Sequence, residues 1–560
     1  MPRPARLTPL IAVLLATLST LALSTPAFST LALPATSAGA ETGSTVQVRG
    51  TLLVLPSERP GHAARYAVAL ADGDIVPMRG AFGPGARTGA LFEGRLAVPA
   101  SVARALAARG ESGPSAALRV VDRRSLVLSV VGAPSITAAA PALTPTTHEQ
   151  FVAAVDNKGA LGQDDAQLLA HVSTVGSYWT GESDGAIAGV TVPSTVTHYD
   201  TALPTTDCGL GSDFFGVVQE AEAEFPGFSF GGGDQLVVFV PPACSSGSVV
   251  GEGTLGSSFA SGGALVVKAG TAVEGTYAHE TGHNYGFEHA NARVSGTSME
   301  YYGAYDVMGF AIGGVNQLTA LSTPFRVFQG ITDPGEIHKV DLGTLKKPVH
   351  ASATIRPRSD GSGLRSVEVT DPDTGEHLYL DYRAGTGEDA GSFYSENGSL
   401  GYSGGSLHYA PGVLVTAARD GAGTDVLVVD GDGDTSLASG RSWTNASGDL
   451  KVSVTGITAA GAHVTVDYDP AVSVLTSARP VIHGRAKVGR TLRVRHGRWS
   501  PGTTFFYRWS AGGKALRHQT SARLTLTKQR RGERIAVKVT GTKRGFPTVS
   551  RMSARTTKVT

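Results

Sequence analysis

Charge is scarce in this chain: Asp, Glu, Lys and Arg together make up 17% of 560 residues, while apolar residues reach 41%. That balance excludes a wholly disordered polymer and leaves enough apolar surface for several cores. Glycine and proline are plentiful (72 and 29), yet no Gly-X-Y period occurs, so a collagen-like rod is excluded and a turn-rich, β-rich architecture is implied. Beyond residue 23 no run of about 20 apolar residues appears, which leaves no later candidate for a membrane-spanning helix. Cysteine is nearly absent, at two residues, and methionine is held to five. At this length one ordinary domain is too few, and three or four are expected.

Acid is missing from one end. Residues 471–560 hold 21 Lys and Arg against a single acid, Glu533, while the remainder holds 27 bases and 46 acids. The two parts therefore carry about +20 and −19, and residues 148–340, with 5 bases and 21 acids, are strongly acidic. A chain divided this way carries at least two modules with different electrostatic roles.

Residues 1–40 read as an export signal. Arg3 and Arg6 precede an apolar run over residues 7–23, and Ala38-Gly39-Ala40 offers a small-residue cleavage site, with Thr25-Pro26-Ala27 as a second. An uncleaved membrane anchor is the alternative. Export places Cys208 and Cys244 in an oxidising compartment, where an even pair reads as a disulfide rather than a redox or metal pair, two free buried thiols being the alternative. Closing that loop is worth roughly 3–4 kcal/mol on the chain-entropy account.

Residues 41–145 alternate short Val/Leu runs with Gly and Pro turns, over 46–55, 65–70 and 118–131, and so predict a small β-rich domain. An Ala/Pro/Thr linker over 138–145 ends it. Residues 146–338 predict mixed α/β structure: helices over 163–178, 212–225 and 273–285, with strands over 187–192, 235–240 and 264–268. Residues 339–470 return to strands and turns and predict a β-sandwich-like domain. Residues 471–560 predict a last small β unit with Trp499, Tyr507 and Trp509 as core aromatics.

The chemistry lies in His279-Glu280-Thr281-Gly282-His283-Asn284-Tyr285-Gly286-Phe287-Glu288-His289, which reads H-E-x-x-H-x-x-G-x-x-H. On a helix His279 and His283 face the same side, so both imidazoles reach one ion. Gly286 lets the chain turn out of the helix, and His289 swings back as a third nitrogen ligand. Three protein ligands leave the fourth position of a zinc site to water, as catalysis requires, and Glu280 adjoins the first ligand as a general base. Met308, in Tyr305-Asp306-Val307-Met308-Gly309, lies 19 residues beyond His289.

At these residues the chain resembles the metzincin zinc peptidases and, within them, the gametolysin-like branch of secreted bacterial enzymes. The resemblance spans about residues 148–470 and is strongest around the motif. It implies a multidomain chain with an α/β (α+β) catalytic domain flanked by a β-rich N-terminal domain, expected to be a propeptide, and β-sandwich C-terminal domains. It also implies one catalytic Zn2+ on His279, His283 and His289, Glu280 as the catalytic base, and a turn carrying Met308 beneath the imidazoles. By analogy residues 264–268 would be the edge strand that pairs with an extended substrate. Two departures stand out. The tyrosine that astacins and serralysins carry two residues after the methionine is Phe310 here, and no cysteine precedes Cys208 to supply the cysteine-based latency of matrix metalloproteinases.

Asp430-Gly431-Asp432-Gly433-Asp434 evokes Ca2+, but Thr435 and Arg441 stand where an EF-hand loop needs Gly and Glu, so calcium is unsupported and a solvated turn is expected. Residues 471–560 resemble the immunoglobulin-like modules appended to secreted bacterial proteins. The function implied is a secreted endopeptidase acting on extracellular proteins or peptides, with no membrane contact after signal cleavage. The rivals are a peptidoglycan amidase or endopeptidase and a catalytically idle surface adhesion protein. The basic end is expected to hold an anionic cell-wall polymer; nucleic acid is not expected, since export removes it and no recognition motif is present.

Overall fold

The Val/Leu runs near the start of the chain close on themselves. In the computed structural model, which describes residues 44–560 except 84, 121–125, 139–144, 205, 231, 245–246, 271–272, 420–421, 430–431, 459, 471–474 and 544–545, strands Thr45–Leu55, Arg65–Ala69, Ile75–Arg79, Leu91–Ala97 and Leu128–Thr137 form a closed barrel. The expected signal, most of the 138–145 linker, and Asp430 and Gly431 fall outside the described residues. Val48, Leu52, Val54, Val68, Val76, Phe92 and Leu96 fill the barrel, together with Val102, Leu106 and Leu118. The last three come from helices Ala100–Arg109 and Pro114–Val120. A strand starting at 118 is therefore a misreading: Pro114 opens a helix at a position that suits proline, and the strand begins at Leu128.

A six-stranded sheet follows, in the order Gly251–Gly253, Gly263–Lys268, Gln235–Val240, Thr146–Val155, Ile187–Thr191, with Thr197–Tyr199 pairing along the far half of Thr146–Val155. All pairings are parallel except that of Gly251–Gly253. Side chains alternate between two cores. Ala153, Val155, Leu236 and Val238 meet helix Phe214–Glu222 and the barrel residues Leu53 and Leu55; Val152, Ala154, Val237 and Phe239 meet helices Asp165–Glu182 and Val273–Asn284. Helix Asp165–Glu182 starts at a capping box between Asp164 and Gln167. The expected edge strand, residues 264–268, is an inner strand: its unbroken apolar run is buried on both faces, and the antiparallel Gly251–Gly253 forms the edge.

A seven-stranded sheet contains Thr297–Met299, Ala290–Val294, Thr424–Leu427, Gly412–Ala418, His377–Arg383, Ser366–Thr370 and Ile337–Val340 in that order. It crosses position 338, so the segment bearing the motif and the one after it share a sheet. A four-stranded sheet, Val349–Ile355, Gly461–Tyr468, Leu450–Thr458 and Ser442–Thr444, packs on it through Ile355, Leu380, Val415, Val452 and Val464. The C-terminal module has a three-stranded and a four-stranded sheet around Leu492, Trp509 and Val537, with Trp499 packing on Val539. Ser44–Thr560 is one compact, β-rich unit, with six α-helices among the described residues. None of those helices is long and apolar enough to cross a membrane.

Candidate metal centre

Helix Val273–Asn284 is polar in sequence yet buried at every residue from Gly275 to Asn284. Its polar groups are met by partners on the surrounding elements. Tyr277 Oη donates to Gln150 Oε1 at 2.9 Å, Asn284 Nδ2 donates to the Thr254 carbonyl at 2.8 Å, and Trp179 Nε1 donates to the Ala278 carbonyl at 3.2 Å. The helix ends in a Schellman turn: Phe287 N–H bonds the Gly282 carbonyl at 3.0 Å and Gly286 N–H the His283 carbonyl at 2.8 Å. Gly286 sits at φ +89°, the left-handed conformation expected of it.

Past that turn the chain is captured by the seven-stranded sheet. The His289 carbonyl accepts from Thr424 N–H at 3.3 Å, and Ala290 N–H bonds the Met308 carbonyl at 2.8 Å, so sheet and methionine turn together bring His289 back toward the helix. Met308 is fully buried. Asp306 in the same turn accepts from Arg383 at 3.1 Å and from Ser322 N–H at 2.9 Å.

Each imidazole is fixed through Nδ1. His279 donates to the Val307 carbonyl (3.0 Å), His283 to the Phe287 carbonyl (2.7 Å) and His289 to Glu300 (2.8 Å). The ring centroids stand 4.9–5.4 Å apart. The three Nε2 atoms are buried and lack any hydrogen-bond partner. Three orphaned acceptors converging on one point fit a cation, and Nδ1 partners of this kind orient metal-ligating histidines.

Two further residues at this point lie outside the motif. Glu58, in the barrel loop between Thr45–Leu55 and Arg65–Ala69, places Oε1 3.3 Å from His283 Nε2 and Oε2 3.5 and 3.8 Å from those of His289 and His279. Ligand atoms about 2.0–2.1 Å from a tetrahedral zinc stand about 3.3–3.4 Å from one another, so these separations suit four ligands around one ion. All four ligand atoms lie within 4.8 Å of each other. Tyr301 Oη donates to Glu58 Oε2 at 2.9 Å, and its ring lies 4.1 Å from that of His289. Nothing local marks Glu58: an acid between Pro56 and Pro60 looks like any solvated turn.

The electrostatics follow from burial and mutual proximity. Burial, then the neighbouring imidazole of His283, pushes His279 down to about 3, which keeps it neutral. Burial alone would raise Glu58, but His289 and His283 hold it well below the usual carboxylate range; burial alone would lower His289, but Glu58 and Glu300 push it up to about 9. A buried carboxylate facing these nitrogens is favourable only with a cation between them, a metal ion or, in the metal-free chain, a proton on His289. Glu280 is buried with Oε2 unpartnered, and burial followed by the nearby Glu58 and Glu252 raises it well above its ordinary value.

A cavity of about 330 Å³ opens beside His279 and Glu280, with Val250, Gly251, Tyr301 and Phe310 in its lining. The structure thus gathers His279, Glu280, His283, Gly286, His289 and Met308 at one point. Cys208 and Cys244 form the expected disulfide, with Cα atoms 5.5 Å apart, in the core on the opposite face of the six-stranded sheet. No protein-family profile matches the chain, and no curated protein shows significant similarity to it.

Proposed function

We propose that this protein is a secreted zinc endopeptidase of the metzincin type, of the gametolysin-like kind, acting on extracellular proteins or peptides. The observation that carries the proposal is the convergence of three buried Nε2 atoms on one point, with the Glu280 carboxylate beside them. His279, His283 and His289 would hold the ion. A zinc ion held there would supply Lewis acidity toward a water and a substrate carbonyl oxygen. Glu280 takes the proton of the attacking water and returns it to the leaving amine. The antiparallel edge strand Gly251–Gly253 runs past Glu280 and offers backbone groups to an extended peptide, while Val250 and Phe310, each more than a third exposed, form an apolar rim for its side chains. Residues 471–560, with 21 Lys and Arg against one acid, would keep the enzyme on anionic envelope polymer.

The purified chain is expected to hold one zinc, and His279→Ala or His283→Ala to remove it. Glu280→Gln should keep zinc and lose casein hydrolysis by about 10³-fold or more relative to the unsubstituted chain. Full zinc occupancy in both histidine variants would refute the site. Near-normal turnover in Glu280→Gln would mean that another group moves the proton, and chelator-insensitive casein hydrolysis would point away from a metallopeptidase altogether.

A further inference from the structure

A three-histidine site built for catalysis keeps its fourth position for water, but here that position is taken. The Glu58 carboxylate reaches into the space in front of all three Nε2 atoms, its side chain 8% exposed. Its Oε1 has no hydrogen-bond partner, and its Oε2 is held by the Tyr301 hydroxyl. Tyr301 adopts φ +69°, a conformation a bulky residue avoids unless its surroundings enforce it.

The barrel carrying Glu58 is fastened to the cleft on several sides. Leu255, just past the edge strand Gly251–Gly253, donates its N–H to the Val54 carbonyl at 2.7 Å and accepts from Thr88 N–H at 2.8 Å, and its side chain joins the barrel core. Arg65 pairs with the buried Glu252 of the edge strand itself and donates to the Ser212 carbonyl at 3.2 Å. Gln219 of helix Phe214–Glu222 donates to the Gly73 carbonyl at 2.7 Å. These contacts hold the Glu58 loop in register with the histidines.

We propose that Glu58 is the fourth ligand of a closed, latent metal centre and that the barrel Thr45–Thr137 is a built-in inhibitor whose removal opens the site. This rests on the reading of His279, His283 and His289 as metal ligands. The carboxylate excludes water from the fourth position, so Glu280 has no proton to take, and the loop around it occupies the cleft beside the edge strand. Latency is thus carried by oxygen in a chain with no cysteine upstream of Cys208. The cut falls between the barrel and strand Thr146–Val155, which already belongs to the six-stranded sheet. On release Tyr301 loses its carboxylate partner and becomes a free hydroxyl beside His279 and His289.

The test uses the intact chain, from residue 41 onward, loaded with cobalt(II) in place of zinc, alongside Glu58→Ala and the isosteric Glu58→Gln. Wild type is expected to bind one cobalt and to hydrolyse casein slowly. Both variants should keep the cobalt on three histidines, show a shifted and reweighted visible d–d spectrum as carboxylate gives way to solvent, surrender the metal to chelator faster, and hydrolyse casein at least about 10-fold faster without any cut. A spectrum and hydrolysis rate unchanged in both variants would overturn the proposal while leaving the peptidase reading intact. Loss of metal in both would make Glu58 an obligatory structural ligand and overturn latency; a shifted spectrum with no gain in hydrolysis would do the same. Failure of the wild-type chain to bind cobalt would overturn this proposal together with the metal-centre reading.

Discussion

Gly282 sits in the middle of the motif helix at a position where a methyl group has no room. A Cβ there would fall 2.4 Å from Met308 Sδ and 3.2 Å from Trp179 Cζ2. Helix propensity favours alanine over glycine by about 1 kcal/mol, but overpacking a dense core costs about 1–3 kcal/mol, so the clash outweighs the propensity. Gly282→Ala should lower stability by about 1–2 kcal/mol. It should also weaken zinc binding by about 10-fold, because the displaced turn carries the Val307 carbonyl that orients His279. Thermal unfolding and a competitive zinc titration check this; unchanged values in both would show that the turn yields freely. The same scale shows what sequence could and could not yield. The convergence of His279, His283 and His289, with Glu280 beside them and Gly286 at the exit, was legible because one helix turn and one sharp exit place them by local geometry; Met308 lies 19 residues beyond His289, and only the resemblance pointed to it. Tyr301 was not legible. Phe310, two residues after Met308, brings no hydroxyl, and the one that meets Glu58 comes from Tyr301 after strand Thr297–Met299, whose placement depends on the fold around it.

Helix Phe214–Glu222 lies where the barrel meets the six-stranded sheet, and its last residue predicts a pH dependence. Glu222 Oε2 is buried without a partner, and burial, then Asp74 across the interface, pushes the carboxyl up to about 7. Arg119 stands 3.9 Å from Asp74, and Asp72 and Arg49 line the same hollow. An acid with a raised folded-state pKa favours folding when protonated, so its contribution falls as pH rises from the ordinary carboxylate range to about 7 and is level above. Glu222→Gln should therefore match wild type near pH 4 and exceed it at pH 8, by about 1 kcal/mol once solvent screening of the part-exposed carboxyl is allowed for. Denaturant unfolding at the two pH values decides it, equal stabilities at pH 8 being the contrary result. Elements with a clear period were legible: Gln235–Val240 matches its expected span, and the three expected helices of this region are present. Elements whose identity depends on position in the sheet were not. An apolar run cannot say whether it is inner or edge, and the true edge, Gly-Glu-Gly, carries no strand pattern at all.

Across the whole molecule the division of charge survives folding as a division of surfaces. In the C-terminal module Arg493 lies opposite Arg523 and Arg508 opposite Lys538, all four exposed, with Met552 beside Lys538. Like charges facing each other across strands are destabilising, so these rows are not explained by stability of the module. Lys543 of the module pairs with Asp373 outside it at 3.5 Å, and the module's single acid, Glu533, meets Arg530 within it at 3.4 Å. Arg493 and Arg523 on one sheet and Arg508 and Lys538 on the other are exposed cationic pairs, an arrangement suited to a flexible, repeating polyanion, whose attraction to exposed charges is long-ranged and salt-sensitive. The full chain should therefore bind purified anionic cell wall at low ionic strength and be released near 0.5 M salt, where the Debye length falls to about 4 Å. A chain ending at Pro470 should not bind under either condition. Replacing Arg493, Arg508, Arg523 and Lys538 together by Gln should weaken binding at low salt and flatten its salt dependence, since fewer counterions then exchange on binding. Sedimentation with cell-wall fragments across a salt series reads all three proteins. Retention that ignores salt, or that survives loss of residues 471–560, would place the anchor elsewhere on the molecule.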